Sequence, residues 1–207
     1  MIDYSKYTSK KLCKNYAKDF DKWWDPNTFD WKTTSWALCQ YVPSKFDTWW
    51  NPDKFNWKFF GSKYLCLYLP NRFDDWWDPN RFEWGWFSII LCAYLANRFD
   101  DWWNKDKFDY RFSSSALCKY LPDKFNIWWD PNKFDWGTGS KALCEYLSDK
   151  FDIWFDPFLF NYEKAASYLR RKLPDKYKLY GSLSKLALDE RKVFIQEQLD
   201  LIEEEQL

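Results

Sequence analysis

Histidine is missing from the 207-residue chain altogether. That removes the commonest general base and the commonest metal ligand together. Valine occurs only at Val42 and Val193, which counts against a β-solenoid, because strands favour β-branched residues. Long hydrophobic runs are missing as well. The longest, from Ile89 to Ala96, falls far short of a membrane span of about 20 residues. The opening Met1-Ile2-Asp3-Tyr4-Ser5-Lys6 has no apolar stretch suited to a signal peptide, so a soluble, cytoplasmic chain with no membrane partner is expected. Nor is there an excess of charge: 31 basic residues face 31 acidic ones, and no global field announces nucleic acid or an anionic membrane. Dinucleotide, P-loop and H-E-x-x-H signatures do not occur. An enzyme is not expected, and no cofactor or metal is implied.

What is present is aromatic: 17 Trp, 14 Tyr and 19 Phe. Disordered segments are poor in such residues, so an ordered chain is expected. The six cysteines disclose the order. Cys13, Cys39, Cys66, Cys92, Cys118 and Cys144 stand 26 or 27 residues apart, which makes them one position of a tandem repeat. Equivalent atoms of stacked helical repeats lie about 9–10 Å apart, beyond the roughly 7 Å Cα limit for a disulfide. No C-x-x-C pair offers a zinc site. Buried, reduced thiols are expected.

Other columns keep the same period. Four residues before each cysteine stands Ser9, Ser35, Ser62, Ser88, Ser114 or Ser140. Seven after comes Phe20, Phe46, Phe73, Phe99, Phe125 or Phe151, and ten after comes Trp23, Trp49, Trp76, Trp102, Trp128 or Trp154. Leu38, Val42, Phe46 and Trp49 step by four, four and three, a helical period. The serine suits an N-cap. Pro43, Pro70 and Pro122 suit the first turn of a second short helix. Asp25-Pro26, Asn51-Pro52, Asp78-Pro79, Asp130-Pro131 and Asp156-Pro157 read as the cap and start of a third short turn. The fold class expected is all-α: a solenoid of six repeats of about 26 residues, each too small to bury its aromatic stripe alone.

A seventh, decayed unit runs in phase from about residue 163, with Leu173-Pro174-Asp175-Lys176-Tyr177 matching Leu121-Pro122-Asp123-Lys124-Phe125 two periods earlier. The repeat domain is therefore placed at 1–181. Residues 182–207 break the period and read as one acidic helix, with three basic against seven acidic residues. It is read as a cap over the last repeat, with a dimer seam as the alternative.

Asp74-Asp75 and Asp100-Asp101 resemble acid–base pairs, but the equivalent position is Asn126 in the fifth unit. An amide cannot titrate, so capping is the reading preferred. Positions that depart from the consensus are the candidates for function. After each unit's closing aromatic the central repeats carry Phe59 and Phe60, Trp86 and Phe87, and Phe112, where outer repeats carry Thr33-Thr34 or Gly137-Thr138-Gly139. Arg72, Arg81, Arg98 and Arg111 are the only arginines in the six regular units. Arginine with Trp and Phe is the composition of interface hot spots. These nine residues are assigned to a partner-binding strip, with padding between repeats as the competing account.

The segments Tyr68-Leu69-Pro70-Asn71-Arg72-Phe73-Asp74 and Trp77-Asp78-Pro79-Asn80-Arg81-Phe82-Glu83-Trp84 resemble short aromatic tandem repeats of proteins from phages, other mobile elements and large DNA viruses. The resemblance covers residues 9–162. It implies action by binding a host protein, including inhibition of a CRISPR nuclease or another defence effector. The expected function is a non-enzymatic scaffold for a protein partner. Binding of single-stranded nucleic acid or a nucleotide by aromatic stacking is the alternative, and a self-assembling structural protein is the second.

Overall fold

The computed structural model describes residues 2–58, 60–181, 183, 190 and 193. Among them every regular element is helical, and the chain divides into two compact units, Met1–Phe108 and Asp109–Leu207. In the first, the long helices Ser9–Asn15, Trp31–Tyr41, Gly61–Tyr68 and Trp84–Tyr94 pack each on the next. In the second, Tyr110–Tyr120, Trp136–Tyr146 and Tyr162–Lys172 do the same. Each unit is thus a run of an all-α solenoid, as the period requires. Among the described residues no helix is long and apolar enough to cross a membrane.

The second repeat shows how the sequence builds one layer. The Asp30 carboxylate caps Trp31–Tyr41 by accepting from the Thr33 backbone N–H at 3.1 Å. The helix stops at Val42, and Pro43 opens a 3-10 turn, Pro43–Lys45, where its missing N–H costs nothing. A one-turn helix, Phe46–Trp49, follows, and Trp50 swings into extended backbone. The indole N–H of Trp49 donates to the Val42 carbonyl at 2.9 Å, tying the short helix to the end of the long one. Trp23, Trp76, Trp102, Trp128 and Trp154 repeat that bond, each to the carbonyl seven residues earlier. The ring of Phe46 stacks on Trp50 with centroids 5.1 Å apart and meets Trp49 edge-on. Phe46 and Trp49 are buried; the aromatic wealth is mainly a spine.

The Asx-Pro segments form the single turn expected of them. Asn51 Oδ1 accepts from the Asp53 N–H at 3.0 Å, and the Phe55 N–H reaches the Asn51 carbonyl at 2.9 Å. The next helical bond would need the Pro52 carbonyl, which instead accepts the indole N–H of Trp57 at 3.1 Å. One local expectation is corrected: the invariant serine is not an N-cap. Ser35 Oγ donates to the Trp31 carbonyl within its own helix and accepts the Asn56 backbone N–H of the following repeat at 3.0 Å. Ser9, Ser62, Ser114 and Ser140 accept likewise from Asp30, Glu83, Asp135 and Asn161, always 21 residues ahead. The serine is a staple between layers. Acidic or amide residues hold the caps instead, as at Asp30, Asp109, Asp135 and Asn161.

Ion pairs form a second set of rungs. Lys45 reaches back to Asp21 at 2.6 Å, Arg72 to Asp47, Arg98 to Asp74, and Lys176 to Asp152 at 2.5 Å. The aspartate after the repeat phenylalanine is therefore an inter-repeat acceptor, not a cap. Arg72 and Arg98 also hold Asp75 and Asp101 through Nε, at 2.5 Å and 2.6 Å. The doubled aspartates accompany arginine because its fork serves two carboxylates at once.

All six cysteines are buried thiols. Burial pushes Cys13 and Cys144 up to about 12, so the inert, apolar reading fits. The seventh unit stays in phase: Lys176 extends the ladder, and Tyr180 packs on Phe155 with centroids 4.7 Å apart. Its serine position is Ala166, with no hydroxyl to repeat the staple. The helix expected over 182–207 lies outside the described residues apart from Leu183, Glu190 and Val193.

Candidate binding face

The column immediately before the staple serine holds small residues: Thr34, Gly61, Ser113 and Gly139. Space dictates this. A Cβ on Gly61 would lie 1.9 Å from the Asn56 carbonyl oxygen, and one on Gly139 would lie 2.3 Å from the Phe134 ring. Phe87 occupies the same column in the fourth repeat and cannot take that place. The helix start changes accordingly: Gly85, at φ −40° and ψ −110°, leaves helical backbone just inside Trp84–Tyr94. Trp86 follows at 69% exposure, the most exposed large apolar side chain among the described residues.

Phe60, 51% exposed, stands beside it. Lys58, Phe60, Glu83, Trp86 and Phe87 line an open pocket of about 550 Å³. An adjoining pocket of about 260 Å³ is lined by Lys32, Thr33, Ser35, Trp36, Asn56, Lys58 and Phe60. Lys58 and Phe60 belong to both, so the two form one edge across three repeats of the first unit. Tyr64 continues it along the outer helix face, its ring 5.0 Å from Trp36 and 5.4 Å from Tyr68. Ile89 and Tyr94 are exposed on the fourth long helix, Trp84–Tyr94, in which no residue is charged.

Compared with protein-family models, with curated proteins and with solved structures, the chain matches none. The site rests on its own geometry.

Of the nine strip residues, Phe60, Trp86 and Phe87 come together. Phe59 lies outside the described residues. Phe112 and Arg111 belong to the second unit, where the Arg111 guanidinium sits 4.7 Å from the Phe112 ring and pairs with Asp109 at 3.1 Å. Arg72 and Arg98 sit in the inter-repeat ladder, each also over a spine phenylalanine, Phe46 and Phe73, at 4.6 Å. Arg81 binds the Pro52 carbonyl, Asp53 at 2.7 Å and Asp78 at 3.2 Å. That is the rung Lys54 makes on the Pro26 carbonyl and Lys107 on the Pro79 carbonyl. The arginine bias thus reflects bonding within the fold. Sequence reasoning passed over Trp36, Tyr64, Lys32 and Lys58. For Trp36 the signal was the position three before each cysteine, which reads Lys10, Trp36, Lys63, Ile89, Ser115 and Lys141 and never settles on one residue type.

The edge is apolar with two lysines and one glutamate on its rim. It can accept apolar side chains on either side of Phe60.

Proposed function

We propose that this chain is a non-enzymatic repeat scaffold that binds a protein partner through the aromatic edge of its first unit. One observation carries the reading: Trp86 is turned to solvent beside Phe60 by a helix start remodelled at Gly85. A padding role accounts for buried rings such as Phe46 and Trp49. It does not account for a tryptophan left 69% exposed. Contiguous exposed apolar surface marks interaction sites, and tryptophan is enriched among the residues that dominate them. The resemblance of the repeats to those of phage and mobile-element proteins directs the first partner search to host proteins, a defence nuclease of CRISPR type foremost.

The test is capture from nuclease-treated lysate, followed by affinity measurement on the captured protein. Trp86→Ala with Phe60→Ala is expected to weaken binding by about 2 kcal/mol or more, roughly thirtyfold, with helicity and melting temperature unchanged. Full retention by the double variant refutes the edge. Capture that vanishes on nuclease treatment moves the reading to nucleic-acid stacking.

A further inference from the structure

The second unit carries a different kind of surface. Its three long helices enclose an open groove of about 520 Å³, and Lys119, Lys141 and Arg171 line it together with Glu145, Tyr146 and Tyr168. Each cation comes from a separate repeat. Lys141 Nζ lies 4.6 Å and Arg171 Cζ 4.7 Å from the Tyr168 ring, so one aromatic side chain is flanked by two cations. Lys119 Nζ lies 4.8 Å from the Tyr120 ring. The groove's one carboxylate, Glu145, is already shared between Arg171 at 2.6 Å and Lys172 at 3.5 Å. Lys119 and Lys141 differ from the ladder lysines. Among the described residues neither has a carboxylate within ion-pair distance; tyrosines hold them instead. Hydrogen bonds to Tyr120 and Tyr168 raise the two ammonium groups above the ordinary lysine value, so both stay charged through the neutral range.

We propose that this groove binds the phosphoryl group of a small ligand. Three cations converging from three helices suit a compact dianion with oxygen acceptors on every side. A lone carboxylate engages one or two of them. The volume falls within the range of small-molecule sites. An extended polyanion would need a track of cations beyond the groove, whereas ladder cations such as Lys45, Arg72, Arg98 and Lys176 are held by aspartates. Arg171, already bonded to Glu145, supplies a planar fork at the edge, while Lys119 and Lys141 supply the unneutralised charge.

The site is independent of the aromatic edge, and so is its test. Pyrophosphate is titrated into the full chain at low ionic strength and followed by calorimetry and by NMR of the lysine side chains. Saturable binding is expected, with Lys119 and Lys141 resonances moving and Lys63 unmoved. Lys119→Gln and Lys141→Gln should each weaken binding by about tenfold, whereas Lys63→Gln should leave it unchanged. Added salt should weaken it further. A nucleoside monophosphate and a phosphorylated sugar, run in parallel, distinguish which small phosphate source is preferred. Failure of pyrophosphate to saturate at about 10 mM, a weak-site concentration, overturns the proposal. Unaltered affinity in the Lys119→Gln, Lys141→Gln double variant overturns it as well. So does tight binding of a single-stranded oligonucleotide without any binding of pyrophosphate.

Discussion

The two units are each built on the same kind of interior and present different exteriors. On the outer face of the long helices, the position three before the cysteine reads Lys10, Trp36, Lys63 and Ile89 in the first unit. In the second it reads Ser115, Lys141 and, counting from Arg170, Ser167. Large apolar side chains occur there only in the first unit. One residue after the cysteine the units part further: Lys14, Gln40, Leu67 and Ala93 against Lys119, Glu145 and Arg171. At that position the first unit turns apolar in its third and fourth repeats, while the second stays charged. Inside, both use the same tryptophan-to-carbonyl bonds and the same serine staples. The lesson concerns constraint. A column whose polar atoms bond to the next layer cannot change without leaving a buried group unpaired. A column facing solvent carries no such debt, and there the repeats diverge.

The spine gives the sharpest way to break the comparison. Trp76→Ala in the first unit and Trp128→Ala in the second each remove a fully buried ring and its indole bond. Each should cost about 3–5 kcal/mol, read by urea denaturation. Equal losses support a common interior; a loss confined to one unit breaks it.

The staples come next. Ser35→Ala and Ser140→Ala strand the backbone N–H groups of Asn56 and Asn161. A cost of about 1–3 kcal/mol is expected from an unsatisfied buried donor, with faster amide exchange at Asn56 or Asn161 as the local signature. If the serine were only a cap, exchange would instead rise at the start of its own helix.

The smallest effect concerns pH. Hydrogen bonds from Arg72 and Arg98 hold the Asp47 and Asp74 carboxyls below the ordinary aspartate value. A depressed folded pKa means the unfolded chain takes up the proton first as pH falls. The contribution is complete above the ordinary value of about 4 and disappears as pH falls through the folded value. Both carboxylates are exposed, so the effect is small. Asp47→Asn with Asp74→Asn should flatten the acid limb of the melting temperature profile below about pH 4, and an unchanged limb would show that these rungs contribute nothing. No equivalent change is expected near neutral pH.

Much of the architecture was legible because it is periodic. The 26-residue spacing, the helical step from Leu38 to Trp49 and the proline at Pro43 all describe short stretches of chain. The candidate edge was legible in part: Phe60, Trp86 and Phe87 stood out as departures from the consensus. The arginines stood out equally, and their bonds within the fold were not legible. Nothing local distinguishes Arg72, 25 residues from the Asp47 it binds, from an arginine free to meet a partner.

The sequence by itself determined the helical class, the number and phase of the repeats and the buried columns of Cys, Leu, Phe and Trp. These follow from propensity and apolar periodicity, which act over a few residues. Only the tertiary structure decided what the polar columns do. It made the serine a staple rather than a cap, turned aspartate and arginine into rungs, and tipped Trp86 outward because Phe87 does not fit a space sized for glycine. Those outcomes depend on which backbone groups of the next layer, 21 or more residues away, come within bonding reach, and stacking alone sets that distance.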